Sequence, residues 1–130
     1  MSKRTWMLAP QWLVAFVASS LLAPPAHAER WHDLKKVNRT ASRIDLDSLK
    51  REGNLVTYRA EFIVTLPNLT KRYISTAVID CENGKRKGIE SEQFRADGSI
   101  YKGSTDMGWR TIQPDTISSE IRQFICSVGQ

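Results

Sequence analysis

Leu55-Val-Thr-Tyr-Arg-Ala-Glu-Phe-Ile-Val-Thr-Leu66 is the stretch that decides the fold. Its apolar residues recur at every second position, and this face consists of Val56, Tyr58, Ala60, Phe62, Val64 and Leu66. The opposite face carries Thr57, Arg59, Glu61 and Thr65. Because side chains of a β-strand alternate between the two sides of a sheet, the pattern predicts a long strand with one face on an apolar core and the other largely in water.

Turn-forming residues flank this strand, and further strands are predicted on both sides of it. Pro67-Asn68 separates it from residues 71–81, whose β-branched and aromatic residues predict an antiparallel partner strand. Asn83-Gly84 and Asp97-Gly98 are typical of tight turns. Weaker alternation predicts strands at residues 30–37, 41–45, 86–96 and 99–102, with one helical turn at 47–50.

One helix is predicted near the carboxyl terminus. It begins after Pro114, with Asp115 or Thr116 as its N-cap. The apolar residues that share one helical stripe are Ile117, Ile121, Phe124, Ile125 and Val128. The predicted fold class is therefore α+β, an antiparallel sheet of about five or six strands with this helix packed on one face.

The first 28 residues have the pattern of a cleavable secretory signal peptide. Lys3 and Arg4 form a basic start, an apolar stretch follows, and Ala26-His27-Ala28 places small residues at the positions that signal peptidase recognises. We expect cleavage between Ala28 and Glu29, which leaves a single domain of residues 29–130 without a membrane span. This domain is expected to be exported, soluble, and either periplasmic or secreted.

Both cysteines, Cys81 and Cys126, lie in the exported part of the chain, and an even number there predicts a disulfide between strand and helix. Cys126 falls off the apolar stripe, so the bridge requires that the helix ends near it or that the thiol reaches past the helix edge. We expect the first. A metal site or a nucleophilic thiol is the alternative, but each needs partners, and His32 is the single histidine after the signal peptide.

The charge of the mature chain is small. Loss of the signal peptide removes two of the 19 basic residues and none of the 14 acidic ones, so the excess falls from +5 to +3. Nucleic-acid-binding proteins carry a larger, clustered excess, so no nucleic-acid partner is predicted. The sequence shows no phosphate-binding loop and no nucleophile with a base in a recognisable context, so we predict no catalytic residue, no cofactor and no enzymatic activity.

Two basic clusters are the candidate partner-binding residues. Lys71-Arg72, followed by Tyr73, and Lys85-Arg86-Lys87 lie at predicted turns, where they either receive acidic groups of a partner or keep strand edges soluble. Trp31 and Trp109 are candidates for an interface or for core packing. His32 is either a ligand of haem or of a transition metal, or an exposed histidine without a ligand.

Several short motifs, taken in order, resemble the surface-adhesin protein E family of exported bacterial proteins. Besides a tryptophan soon after the signal peptide, they are Ile44-Asp45, Asp47-Ser48-Leu49, Gly53-Asn54-Leu55-Val56, Ile79-Asp80-Cys81, Trp109-Arg110-Thr111-Ile112 with Pro114, and the closing helix with Cys126. The resemblance covers nearly all of residues 31–126. It implies an antiparallel sheet with a C-terminal helix held against it by a disulfide.

The resemblance also implies a non-enzymatic, adhesive function. Its expected partners are host matrix or serum proteins, with homodimers possible, and Lys71-Arg72-Tyr73 resembles a basic segment of the family's namesake. Ala26-His27-Ala28 brings no cysteine for acylation, so no lipid anchor is expected here. The alternative function is that of a periplasmic accessory domain or a binder of a small ligand such as haem.

Overall fold

Two twelve-residue strands form the centre of the sheet in the computed structural model, which describes residues 30–128. β4 (Leu55–Leu66) has the predicted bounds, and β5 (Leu69–Asp80) begins two residues earlier than predicted. The two strands pair antiparallel over their whole length, from Leu55 opposite Asp80 to Leu66 opposite Leu69. The predicted signal peptide and its cleavage site after Ala28 lie outside the described residues.

Shorter strands are added on both sides of this hairpin. The remaining elements of the described chain are β1 (Trp31–Asp33), β2 (Thr40–Asp45), a 3-10 turn (Leu46–Ser48), β3 (Lys50–Glu52), β6 (Lys85–Phe94), β7 (Ile100–Ser104), β8 (Arg110–Thr111) and α1 (Ile117–Ser127). Six strands form the main path β1-β2-β4-β5-β6-β7, which confirms the predicted antiparallel sheet. β2 and β3 pair with successive parts of the same edge of β4. In the same way, β7 and β8 pair with successive parts of one edge of β6.

Part of the predicted amino-terminal strand is wrong. Only Trp31–Asp33 of residues 30–37 is a strand, because the chain reverses at Asn38, whose φ of 54° is left-handed. Val37 and Thr40 form an isolated bridge across this reversal. Asparagine tolerates this conformation better than most residues, so the turn is local in origin.

The helix is held on one face of the sheet, the covered face, by its apolar stripe. Thr116 is the N-cap, and its Oγ1 accepts a hydrogen bond from the amide of Ser119 at 3.2 Å. Ile121 and Ile125 are fully buried, and each contributes about 1.5–3 kcal/mol relative to an exposed side chain. Both belong to the core cluster of Ile44, Val56, Tyr58, Ala60, Phe62, Ala77, Ile79, Ile121 and Ile125.

A disulfide joins the end of β5 to the end of the helix, as predicted. Cys81 and Cys126 have Cα atoms 5.8 Å apart, and α1 ends at Ser127, so the thiol does not reach past a continuing helix. Arg51 of β3 donates to the carbonyl oxygens of Ile125 and Cys126, each at 3.3 Å. The bridge and this arginine together fix the carboxyl end of α1.

Candidate functional site

The first basic cluster lies inside β5 rather than at a turn. Strand alternation therefore divides its three side chains between the two faces of the sheet. Tyr73 lies on the covered face, where its ring stacks on Phe62 at a centroid distance of 5.0 Å. Arg72 points to the opposite face, which we call the open face.

Glu61 corrects the prediction that the second face of β4 is largely in water. This carboxylate is only 2% exposed, and two arginines of the open face hold it. Arg43 Nε donates to Glu61 Oε1 at 2.6 Å, and Arg72 Nε donates to Oε2 at 2.7 Å. Burial by itself would raise the pKa of this carboxyl group, but the hydrogen bonds and charges of Arg43 and Arg72 outweigh it and lower the pKa.

Aromatic rings flank this ion triad on both sides. The guanidinium carbon of Arg43 lies 4.5 Å from the ring centroid of Trp31, and that of Arg72 lies 4.0 Å from the ring centroid of Phe94. Together with Glu61 these residues form a row across β1, β2, β4, β5 and β6, which we call the cross-sheet row. Arg72 is thus ion-paired and packed, and its guanidinium is committed to the fold.

A groove of about 640 Å³ opens at the hairpin end of the sheet, next to this row. Leu69, Lys71, Tyr73, Phe94 and Arg95 are among the residues that line it. Among the described residues, no carboxylate pairs with Lys71 or Arg95. We call this region the hairpin-end groove.

Apolar surface continues beside the groove. Ile100 and Tyr101 at the start of β7 are, like Leu69, at least half exposed. Arg95 lies over the ring of Tyr101, with its guanidinium carbon 5.2 Å from the centroid. Exposed apolar side chains beside arginine and tyrosine are the composition of a protein interface.

The second basic cluster lies at the other end of the sheet, at the start of β6. Arg72 pairs with Phe94, whereas Arg86 pairs with Ile79, and these seven positions along β5 separate the clusters by about 23 Å. The structure therefore does not bring the two clusters into one surface. Lys87 lies over the exposed ring of Trp109, with its Nζ 5.3 Å from the ring centroid.

Arg86 is directed to the covered face and is held there by the core. Its Nε donates to Tyr58 Oη at 3.1 Å, and its Nη2 donates to Ser75 Oγ at 3.5 Å. Tyr58 is fully buried, and burial raises the pKa of its hydroxyl despite the opposing charge of and hydrogen bond from Arg86. Arg86 is consequently an oriented guanidinium rather than a mobile surface cation.

His32 packs against the helix. Its ring stacks on that of Phe124 at a centroid distance of 4.0 Å and an angle of 6°. Within residues 30–128, no three His, Cys, Asp or Glu side chains are grouped so that they could hold a metal ion. In the same range, no helix has both the length and the apolar character needed to cross a membrane.

Sequence reasoning identified both basic clusters but missed their partners. Glu61 lies 18 residues from Arg43 and 11 from Arg72, and no local motif links the three. Arg95 carries no pattern of its own in the sequence. The one signal in the sequence that could have linked Arg43, Glu61 and Arg72 is their opposite charge on strands that each have a solvent-facing side.

Comparisons with known proteins agree on one family and one fold. A family model described as surface-adhesin protein E matches residues 31–127. Crystal form II of Haemophilus influenzae protein E superposes with a TM-score of 0.55 at 19% identity, covering 81% of this chain and 94% of that one. A second structure of the same protein gives 0.52 at 19% identity, covering 81% and 90%. Among curated proteins, none matches significantly.

Proposed function

The chain belongs to the surface-adhesin protein E family, and we propose that it is an exported, non-enzymatic binding domain that contacts a host matrix or serum protein through the hairpin-end groove. The observation that carries this proposal is the groove itself. It combines the exposed side chain of Leu69 with cations that pair with no described carboxylate, and the exposed Ile100 and Tyr101 lie beside it. The family supports the adhesive class of function, and the groove supports the location of the contact.

The chemistry of the groove defines the partner that it fits. Lys71 and Arg95 supply positive charge, while Leu69 and Phe94 supply apolar area at the same place. An extended segment with acidic residues next to an apolar or aromatic side chain would complement both. Because this surface needs an apolar side chain as well as negative charge, the proposed partner is a protein and not a nucleic acid.

Arg72, a candidate from sequence reasoning, contributes to the groove mainly by shape. Its guanidinium is occupied by Glu61 and covers the ring of Phe94. Replacing Arg72 would leave the buried Glu61 with one arginine fewer, and would confuse loss of binding with loss of folding. The informative cations are therefore Lys71 and Arg95.

The test is binding of the purified exported protein to immobilised matrix and serum proteins at increasing salt. We expect the Lys71→Glu/Arg95→Glu double variant to bind at least tenfold more weakly, and the wild-type affinity to fall steeply with salt. The matched control is Lys35→Glu/Lys50→Glu, which makes the same charge change at exposed positions of another part of the surface. Equal binding of the two double variants would contradict the proposed contact.

A second experiment tests exposure at the cell surface. Contact with a host protein requires that the domain is accessible from outside the cell. We therefore expect protease added to intact cells and their medium to degrade the protein. Complete protection, with the protein recovered in the periplasmic fraction, would refute the adhesive function and favour the accessory function.

A further inference from the structure

A second cavity lies about a sheet's length from the hairpin-end groove. It encloses about 500 Å³ between β6, the first turn of α1 and the segment 105–113. Arg86 and Arg110 both line it, and the other lining residues within the described chain are neutral polar or apolar, with no aspartate or glutamate among them. A volume of this size is typical of small-ligand sites.

The two arginines occupy opposed positions on a pair of neighbouring strands. Arg86 of β6 and Arg110 of β8 are directly opposite in the antiparallel register. Like charges at opposed positions destabilise a sheet, so this arrangement costs folding energy. Among the described residues, no carboxylate forms an ion pair with either arginine. The pair is thus a local excess of positive charge that the fold itself does not neutralise.

The walls of the cavity are held by the core and not by flexible side chains. Arg86 is fixed by its hydrogen bonds to the buried side chains of Tyr58 and Ser75. At the buried Gly88, an added Cβ would lie 2.7 Å from Thr105 Oγ1 and 2.8 Å from the Thr105 carbonyl oxygen. Only glycine lets the 105–113 segment come this close to β6. The cavity is therefore formed before any ligand binds.

We propose that this cavity binds a phosphate or sulfate ester, with the oxyanion held between Arg86 and Arg110. Two guanidinium groups supply the forked donors that such oxygens accept. Ser118 of the first turn of α1 lines the same cavity, and the amino end of α1 favours negative charge there.

The volume indicates an ester in preference to a free ion. A cavity of about 500 Å³ holds the equivalent of roughly seventeen water molecules at about 30 Å³ each, which is more than one small ion needs. Met107 and Ile112 provide apolar wall for the organic part of the ligand. This site is independent of the proposed adhesive contact, since it lies at the other end of β6.

The experiment is calorimetric titration of the exported protein with four probes: inorganic phosphate, inorganic sulfate, glycerol 3-phosphate and glucosamine 6-sulfate. We expect at least one ester to bind more tightly than both inorganic ions, and the stronger ester identifies the source of the oxyanion. Arg110→Ala should weaken that binding about tenfold or more. Lys87→Ala removes a neighbouring cation of the same cluster that does not line the cavity, and should leave the affinity unchanged.

A charge reversal adds a readout that does not depend on ligand. In Arg110→Glu, the new carboxylate faces Arg86, so the free protein should melt at a higher temperature than the wild type while the ester no longer binds. Arg86→Gln is avoided, because Arg86 also holds Tyr58 and its loss could unfold the domain. No binding of any ester to the wild type, or equal weakening by Arg110→Ala and Lys87→Ala, would overturn the proposal.

Discussion

The two basic clusters look alike in the sequence, but their arginines are held differently in the structure. Arg72 is bound by the buried carboxylate of Glu61, which it shares with Arg43, and it lies against an aromatic ring, so its charge has a counter-ion within the fold. Arg86 is held by neutral hydroxyl groups and faces a second arginine, so its charge is left over. The difference teaches that local charge density does not identify a binding cation. What identifies it is whether the fold supplies a counter-ion.

Breaking the covalent tie at the Arg86 end should have the largest effect. The Cys81–Cys126 bridge closes a loop of 45 residues, and its removal should lower the free energy of unfolding by about 4 kcal/mol. Urea denaturation of Cys81→Ser/Cys126→Ser measures this, and reduced wild-type protein is the matched control. Amide exchange should speed up most in α1 and near Cys81, and least at the hairpin end. A uniform increase across the sheet would contradict the idea that the two ends are held by different means.

Breaking the charge balance at the Arg72 end should have the next largest effect. Glu61→Gln leaves Arg43 and Arg72 without their anion, although both are partly solvated, with side chains 38% and 42% exposed. We expect a loss of about 2–3 kcal/mol, below the range for a fully buried ion pair. The control is Glu92→Gln. Glu92 lies in β6 on the same open face of the sheet as Glu61, and this substitution should change stability by less than about 0.5 kcal/mol. Similar losses in both variants would show that Glu61 is not special.

Lowering the pH should have a smaller effect, on the stability difference between the wild type and Glu61→Gln. The folded pKa of Glu61 lies below its ordinary value of 4.5, so its contribution to stability is complete above that pH and is lost as the pH falls through the folded pKa. The stability gap between the wild type and Glu61→Gln should therefore be constant near neutrality and shrink below about pH 4.5. Asp80 and Asp97, whose pKa values are also lowered, titrate in both proteins and cancel in the difference. A gap that does not change with pH would contradict the ion triad.

The parts of the fold that were predicted are those with a strong local signal. The alternation of β4 fixes its bounds, and the apolar stripe of α1 fixes its packing face. β3 and β8 were not predicted, because strands of three and two mainly charged residues are too short for alternation to show. They exist because the long neighbours β4 and β6 offer free backbone groups to pair with.

The candidate sites were predicted only in part, for the same reason. Each cluster was visible as a run of cations, but its role depends on residues that are distant in the sequence. Glu61 neutralises Arg72 through a pairing of adjacent long strands, and Arg110 opposes Arg86 from 24 positions away. Charge can be read from one sequence, whereas the partner of a charge requires the register of the sheet.

The order of the strands has a consequence for how the chain folds. β4, β5 and β6 each pair with the next strand along the chain, through short connections that close at little entropic cost. The helix instead packs on residues as distant as His32, 92 positions before Phe124. Since contacts between distant residues slow folding, we expect the central hairpin to form first and the docking of α1 to limit the rate. The last region to become ordered would then be the Arg86 cavity, whose wall α1 completes.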